Sequence, residues 1–83
     1  MRNNIVAGNW KMNNDATQTT TLINDLNKAL EEVSINCRVI ISPTSINLTS
    51  AVALTKDSVI EVAAQNMHQA KNGAFTGEIS AAM

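Results

Sequence analysis

Three features of the 83-residue sequence predict an α/β fold with a parallel sheet. It contains three short apolar runs rich in β-branched residues, the segments between them have helical character, and no linker or internal repeat interrupts the alternation. Nearly continuous apolar strands separated by helices are typical of parallel sheets that are covered on their faces. We therefore predict the order β-α-β-α-β-loop, with right-handed crossovers.

The first predicted strand covers residues 5–7, a short apolar run between Asn4 and Gly8. Such a brief run next to polar and glycine residues indicates a buried strand. We interpret residues 5–7 as part of the core and Gly8 as the position that lets the backbone turn.

An amphipathic helix is predicted over residues 15–33. Asp15 and Gln18 have the spacing of a capping box, in which a side-chain acceptor is followed three residues later by an amide. Apolar residues then recur mainly in steps of three and four, which is typical of one buried helix face. The predicted face consists of Leu22, Ile23, Leu26, Ala29, Leu30 and Val33.

The rest of the chain continues the alternation. Residues 37–41 form the second predicted strand. Thr44 or Ser45 can cap a second helix after it. Residues 59–64 form the third strand, residues 65–77 a polar loop, and residues 80–83 the first turn of a further helix that is cut off. The apolar side of the second helix contains Leu48, Ala51 and Val52.

Composition excludes several classes of function. The formal net charge is −1 and no basic tract occurs, so we expect no nucleic-acid partner. No apolar run is long enough to cross a membrane, and the first residues do not form a signal peptide. The single cysteine, Cys37, has no metal-type spacing around it and cannot form an internal disulfide, so we expect a cytoplasmic location and no metal.

Candidate functional residues follow the strands. In a parallel sheet the chemistry gathers where strands end and loops begin, which places residues 8–13, 42–45 and 65–77 on one rim. Within the first of these segments, Asn9 and Lys11 flank the only tryptophan, Trp10. A large indole usually acts by packing, so we interpret Trp10 as support for the loop.

Three motifs on this rim resemble the triosephosphate isomerase family. They are GNWKMN at residues 8–13, AAQN at residues 63–66 and GAFTGEISAAM at residues 73–83, in the same order and register as in the family. The resemblance covers the whole chain. It implies a (β/α)8 barrel, which typically has about 250 residues. Residues 1–83 would then be the N-terminal part of a single barrel domain, about its first third, truncated after the third strand and its loop.

The resemblance also implies a reaction. Triosephosphate isomerases interconvert dihydroxyacetone phosphate and glyceraldehyde 3-phosphate by proton transfer through an enediolate, without cofactor or metal, in glycolysis and gluconeogenesis. Asn9 matches the asparagine that hydrogen-bonds near the substrate oxygens. Lys11 matches the catalytic, substrate-binding lysine, whose charge attracts the phosphate. The family's glutamate base, histidine electrophile and closing loop have no counterpart in residues 1–83.

A homodimer interface is implied as well. Residues 65–79 resemble the protruding loop that inserts into the other subunit in this family, and Thr76 matches the residue at its tip. Met12 matches the position that the partner's loop encloses. The resemblance therefore implies an interface made by Met12, Phe75, Thr76, Gly77 and Glu78.

Four other residues have simpler interpretations than catalysis. His68, the only histidine, is expected to be solvated in the loop, and Glu61 is expected to face solvent or a polar layer. Glu78 is expected to form a pair or a cap near Ser80. Cys37 is expected to be a small buried apolar residue.

Two hypotheses of different classes remain open. In the first, the chain is the substrate-anchoring portion of an isomerase. In the second, it is a truncated, non-catalytic module that self-associates through unpaired strand edges. In both cases we predict that the isolated chain is inactive. A third possibility, an unrelated phosphate-binding α/β domain, requires that the coding sequence after residue 83 lack any match to the family.

Overall fold

The computed structural model describes residues 2–83. Its three strands form one parallel sheet in the order β1-β2-β3, and helices connect successive strands. The predicted α/β fold class is therefore confirmed, and the sheet is open. The elements are β1 (Asn4–Asn9), α1 (Ala16–Glu31), β2 (Cys37–Ser42), a 3-10 turn (Ser45–Asn47), α2 (Leu48–Leu54) and β3 (Ile60–Val62).

Helix α1 begins with the predicted capping box. The Gln18 backbone N–H donates to Asp15 Oδ1 at 2.8 Å, and the Asp15 backbone N–H donates to Gln18 Oε1 at 2.9 Å. The helix ends at Glu31, two residues before the predicted end, so Val33 is not carried round to the buried face and is 57% exposed. Ala29 is also exposed, because it lies about 120° around the helix from Ile23. The predictions for Val33 and Ala29 were wrong.

The core lies between the helices and one face of the sheet. Ile23 of α1, Ala51 of α2, Ile41 of β2 and Ile60 of β3 are its buried members. Helix α1 packs on α2, and α2 packs on β3. Val52, which we assigned to the apolar side of α2, is 57% exposed, so only part of the predicted α2 face is buried. Partly buried apolar side chains surround the core: Trp10, Leu26, Leu30, Val39, Leu54 and Val62.

Strand β1 lies at the edge of the sheet and is exposed along its whole length. Ile5 and Val6 are 52% and 61% exposed, so the prediction that residues 5–7 belong to the core was wrong. The physical reason is that the buried core joins the helices to β2 and β3 and includes no residue of β1, so the faces of β1 stay uncovered. Gly8 is inside β1 without a left-handed φ, and the left-handed positions that follow the strand are Lys11 and Asn14 instead.

The third strand is shorter than predicted. It covers Ile60–Val62, and the Ala63 backbone N–H adds one more hydrogen bond to Ile41 O at 2.9 Å. Residues 80–83 form a single turn, in which the Met83 N–H donates to Ser80 O at 3.2 Å. That a helix begins here stays a prediction. No helix within residues 2–83 has the length and apolar character needed to cross a bilayer.

Candidate functional site at the carboxyl ends of the strands

The ends of the three strands bring the predicted site segments together. Asn9 at the end of β1 is in register with Ser42 at the end of β2, and β2 pairs in turn with β3. Residues 10–14, which we call the lysine segment, follow β1 directly. The loop after β3 begins beside it, because parallel strands present their carboxyl ends at the same edge.

Lys11 has a left-handed backbone. Its φ is 57°, which is uncommon for a residue other than glycine and has a cost on the order of 1–3 kcal/mol. Two hydrogen bonds hold it in this conformation. The Lys11 N–H donates to Asn9 Oδ1 at 2.8 Å, and Lys11 O accepts from Gln65 Nε2 at 2.8 Å. Asn9 and Lys11 are therefore positioned together.

Gln65 joins the ends of all three strands. It follows β3, and its Nε2 donates both to Lys11 O and to Ser42 O, the latter at 2.9 Å. A side-chain amide nitrogen carries two hydrogens, so both bonds are available at once. The sequence analysis gave Gln65 no role. The signal that was present is an amide directly after the third strand, on the rim where the site was predicted.

Trp10 acts by packing, as predicted. Its indole is partly buried against the core, and its backbone N–H donates to Ser42 O at 3.1 Å. The Trp10 carbonyl accepts from Asn13 Nδ2 at 2.7 Å. The lysine segment is thus attached at its first residue to strand β2.

The charge on Lys11 is available to a ligand. The side chain is exposed, and the one ion pair among residues 2–83 joins Arg38 to Glu61 elsewhere on the sheet. Asn9 Oδ1 is occupied by the Lys11 N–H, so the Asn9 amide nitrogen keeps its two hydrogens for another acceptor. A cation and an amide donor side by side suit an anionic oxygen. No cluster of metal-binding side chains occurs within residues 2–83.

The loop after β3 is ordered by local contacts. His68 is partly buried, and the centroid of its ring lies 4.2 Å from the centroid of the Phe75 ring. Its Nδ1 accepts from the Ala70 N–H at 3.0 Å. The expectation of a solvated histidine was therefore wrong, because the ring is used for stacking and for a backbone hydrogen bond. The His68 N–H also donates to Ile79 O at 2.8 Å, which brings the two ends of the loop together.

Four of the residues assigned to an interface form the tip of this loop. The Glu78 N–H donates to Phe75 O at 3.2 Å, and Gly77 has a φ of 82°, which is the geometry of a type II turn. All four residues of this turn are exposed. Met12, in the lysine segment, is 92% exposed. Cys37 is only partly buried, less than expected.

Parallel strands joined by helices, with polar residues held at the carboxyl edge, are typical of the β/α-barrel class of proteins. The family model described as triosephosphate isomerase matches residues 4–83. The chain belongs to the triosephosphate isomerase family, a family of isomerases, and its elements are parallel β/α units of that barrel fold.

Curated relatives agree with this assignment. A triosephosphate isomerase from Flavobacterium psychrophilum is 60% identical over 83 residues, which are 100% of this chain and 33% of the relative. One from Flavobacterium johnsoniae is 53% identical over the same shares. One from Clostridium acetobutylicum is 46% identical over 80 residues, 96% of this chain and 32% of the relative. The chain thus spans about a third of the length of these relatives.

Proposed function

We propose that this chain supplies the substrate-anchoring part of a triosephosphate isomerase. In this proposal residues 1–83 are the N-terminal part of a single barrel domain. The reaction is the interconversion of dihydroxyacetone phosphate and glyceraldehyde 3-phosphate. The observation that carries the proposal is the Lys11 backbone, held left-handed at the carboxyl edge between Asn9 and Gln65.

Lys11 attracts the substrate and stabilises the charge that develops during the reaction. Its ammonium is a compact positive charge with three donors, suited to a phosphate dianion and to an enediolate oxygen. A preorganised charge in a site from which water is excluded is worth far more than in bulk water. The free amide hydrogens of Asn9 donate to a substrate oxygen on the same side. In this family the proton itself is moved by a glutamate base and a histidine electrophile, which have no counterpart in residues 1–83.

The loop tip completes the proposal. Phe75, Thr76, Gly77 and Glu78 form an exposed turn, and Met12 is exposed next to Lys11. We assign these five residues to a homodimer interface near the lysine segment. An exposed turn with both ends of its loop hydrogen-bonded is rigid enough to dock without a large ordering cost.

The experiment compares the isolated chain with a chimera. In the chimera, this chain replaces the matching 83 residues of the Flavobacterium psychrophilum relative. In a coupled isomerase assay we expect turnover from the chimera and none above the uncatalysed rate from the isolated chain.

Lys11→Ala tests the role of the anchoring cation. We expect it to lower kcat/KM of the chimera at least about 100-fold, since removal of one preorganised charge-stabilising group costs about 10²–10³. The matched control is Lys56→Ala, an exposed lysine on the turn between α2 and β3, at the opposite edge of the sheet. If both variants keep parental activity, the proposal is wrong.

A second candidate is a non-catalytic module that self-associates. The observation that favours it is the exposed edge strand β1, with Ile5 and Val6 more than half exposed. Unpaired strand edges promote pairing with another chain. An inactive chimera together with concentration-dependent association of the chain would favour this candidate over the first.

A further inference from the structure

Asn47 is a buried polar residue whose side chain does not serve its own helix. It lies at the N-cap position of α2 and is 2% exposed. Asparagine at this position usually stabilises the helix, because its side-chain oxygen accepts from a backbone N–H in the first turn. No such bond is present at α2. A residue that breaks a local rule in this way is expected to have a tertiary role.

The Asn47 amide bonds to the lysine segment instead. Asn47 Nδ2 donates to Asn14 O at 3.1 Å and to Thr44 Oγ1 at 3.0 Å, which uses both of its hydrogens. Asn14 is the last residue of the lysine segment and has a left-handed φ of 74°. The bond therefore joins the connection after β2 to the connection after β1.

We infer that Asn47 is a positioning residue for Lys11, an inference that rests on the proposed function of Lys11. The lysine segment is held at three points: the Trp10 N–H on Ser42 O, Lys11 O on Gln65, and Asn14 O on Asn47. Only Met12 and Asn13 separate Lys11 from the third point. Loss of the bond at Asn14 therefore releases one end of a short strained segment, and the Lys11 ammonium moves with it.

The chain contains a matched control for this role. Asn27 of α1 also makes a bond between elements, since its Nδ2 donates to Leu54 O at 3.0 Å. Its Oδ1 accepts from Ser58 Oγ, so it joins α1 to the entry of β3. That end of the sheet is opposite the carboxyl rim. Removal of either amide costs stability, but only Asn47 contacts the lysine segment.

Amide hydrogen exchange on the full 83-residue chain tests whether Asn47 holds the lysine segment in place. We expect Asn47→Ala to speed exchange of the Lys11 N–H, which donates to Asn9 Oδ1, about tenfold or more. Asn47→Asp keeps the shape but places an acceptor against Asn14 O, and we expect the same change. In Asn27→Ala the Lys11 N–H should exchange as in the parent. If the Lys11 N–H exchanges at the same rate in all three variants, the inference is overturned.

Kinetics of the chimera test whether the position of Lys11 set by Asn47 affects substrate binding and turnover. We expect Asn47→Ala to raise KM and to lower kcat/KM about tenfold, because a displaced charge binds the phosphate less well. Asn27→Ala should lower the thermal midpoint with KM unchanged, since partial unfolding reduces the number of active molecules only. A thermal midpoint lowered in Asn47→Ala without a change in KM contradicts a positioning role.

Hydrogen exchange and kinetics together separate the proposed function of Lys11 from the positioning role of Asn47. If Lys11→Ala leaves turnover of the chimera intact, the proposed function fails, and the exchange result alone then decides whether Asn47 holds the lysine segment. If Lys11→Ala abolishes turnover while Asn47→Ala leaves both KM and exchange at parental values, the proposed function stands and the role of Asn47 is rejected.

Discussion

At the scale of single residues, the rim is held by side-chain amides that act on backbone carbonyls. Gln65 and Asn47 each bond to a carbonyl of the lysine segment, at Lys11 and at Asn14. Both acceptor residues have left-handed φ values, and neither is a glycine. Strained backbone of this kind persists only where the surroundings determine it, and it is often found at functional sites.

Gln65→Ala tests whether a side-chain amide holds the strained Lys11 backbone in place. The substitution removes both hydrogen bonds of the amide, leaves Lys11 O and Ser42 O without their donor, and releases the strained lysine backbone. Because misplacement by about 1 Å can cost on the order of 100-fold, we expect kcat/KM of the chimera to fall about tenfold to 100-fold. Gln69→Ala, in the same loop and exposed, should keep parental activity. Equal activity of the two variants would contradict the role of Gln65.

At the scale of elements, strands β2 and β3 are joined by a cross-strand ion pair. Arg38 Nε and Nη2 donate to Glu61 Oε2 and Oε1, both at 2.8 Å. The two side chains are 50% and 47% exposed, on the sheet face that carries no helix. The hydrogen bond from Arg38 lowers the pKa of Glu61 from its ordinary value of 4.5, with Coulombic attraction adding to it and desolvation opposing it.

This shift predicts a dependence of stability on pH. A carboxyl whose pKa is lowered in the folded state stabilises that state above its unfolded pKa, and the contribution is lost as pH falls through the folded value. We therefore expect the ion pair's contribution to fade below about pH 4.5. Urea unfolding of the chimera from pH 3 to 7 is the measurement. Above pH 5, Glu61→Gln should be less stable than the parent.

The difference between Glu61→Gln and the parent should close at the acidic end, where the pair no longer contributes. Glu32→Gln is the control, since Glu32 takes part in no ion pair within residues 2–83. A gap for Glu61→Gln that stays constant with pH would show that packing, and not charge, accounts for it. The half-exposed position means that salt should also weaken the effect.

At the scale of the whole molecule, the sheet is open and unevenly covered. The outer strands β1 and β3 each have a free edge, and the helices cover β2 and β3 but leave the side chains of β1 exposed. In a closed barrel no strand edge is free. Ile5 and Ala7 also share the helix-free face with Arg38, because Ile5 is in register with Arg38. The chain therefore presents unpaired strand edges and exposed apolar side chains on β1.

We expect this exposed strand to cause association of the isolated chain. Sedimentation velocity at increasing concentration should show larger species, and Ile5→Lys should shift the distribution toward the monomer, because charge on an edge strand opposes pairing. Val33→Lys is the control, since Val33 is 57% exposed, close to the 52% of Ile5, but lies outside the sheet. An equal shift with both substitutions would indicate a general effect of charge.

The local features were the ones that could be predicted from the sequence. Periodicity and capping predicted α1 from its Asp15 start, apolar runs predicted three parallel strands, and the motifs predicted Asn9 and Lys11 on one rim. Each of these depends on residues close together in the chain. The exact ends of α1 and β3 were less accurate, because packing decides where an element stops.

By itself, then, the sequence determined the order of elements, the family and the residues of the lysine segment. Only the tertiary structure decided what holds that segment. Gln65 reaches Lys11 across 54 residues of chain, Asn47 reaches Asn14 across 33, and Arg38 reaches Glu61 across 23. Such bonds leave no local periodicity. The exposure of β1 was not predicted for the same reason, because the apolar residues of a strand do not show whether another element packs over them.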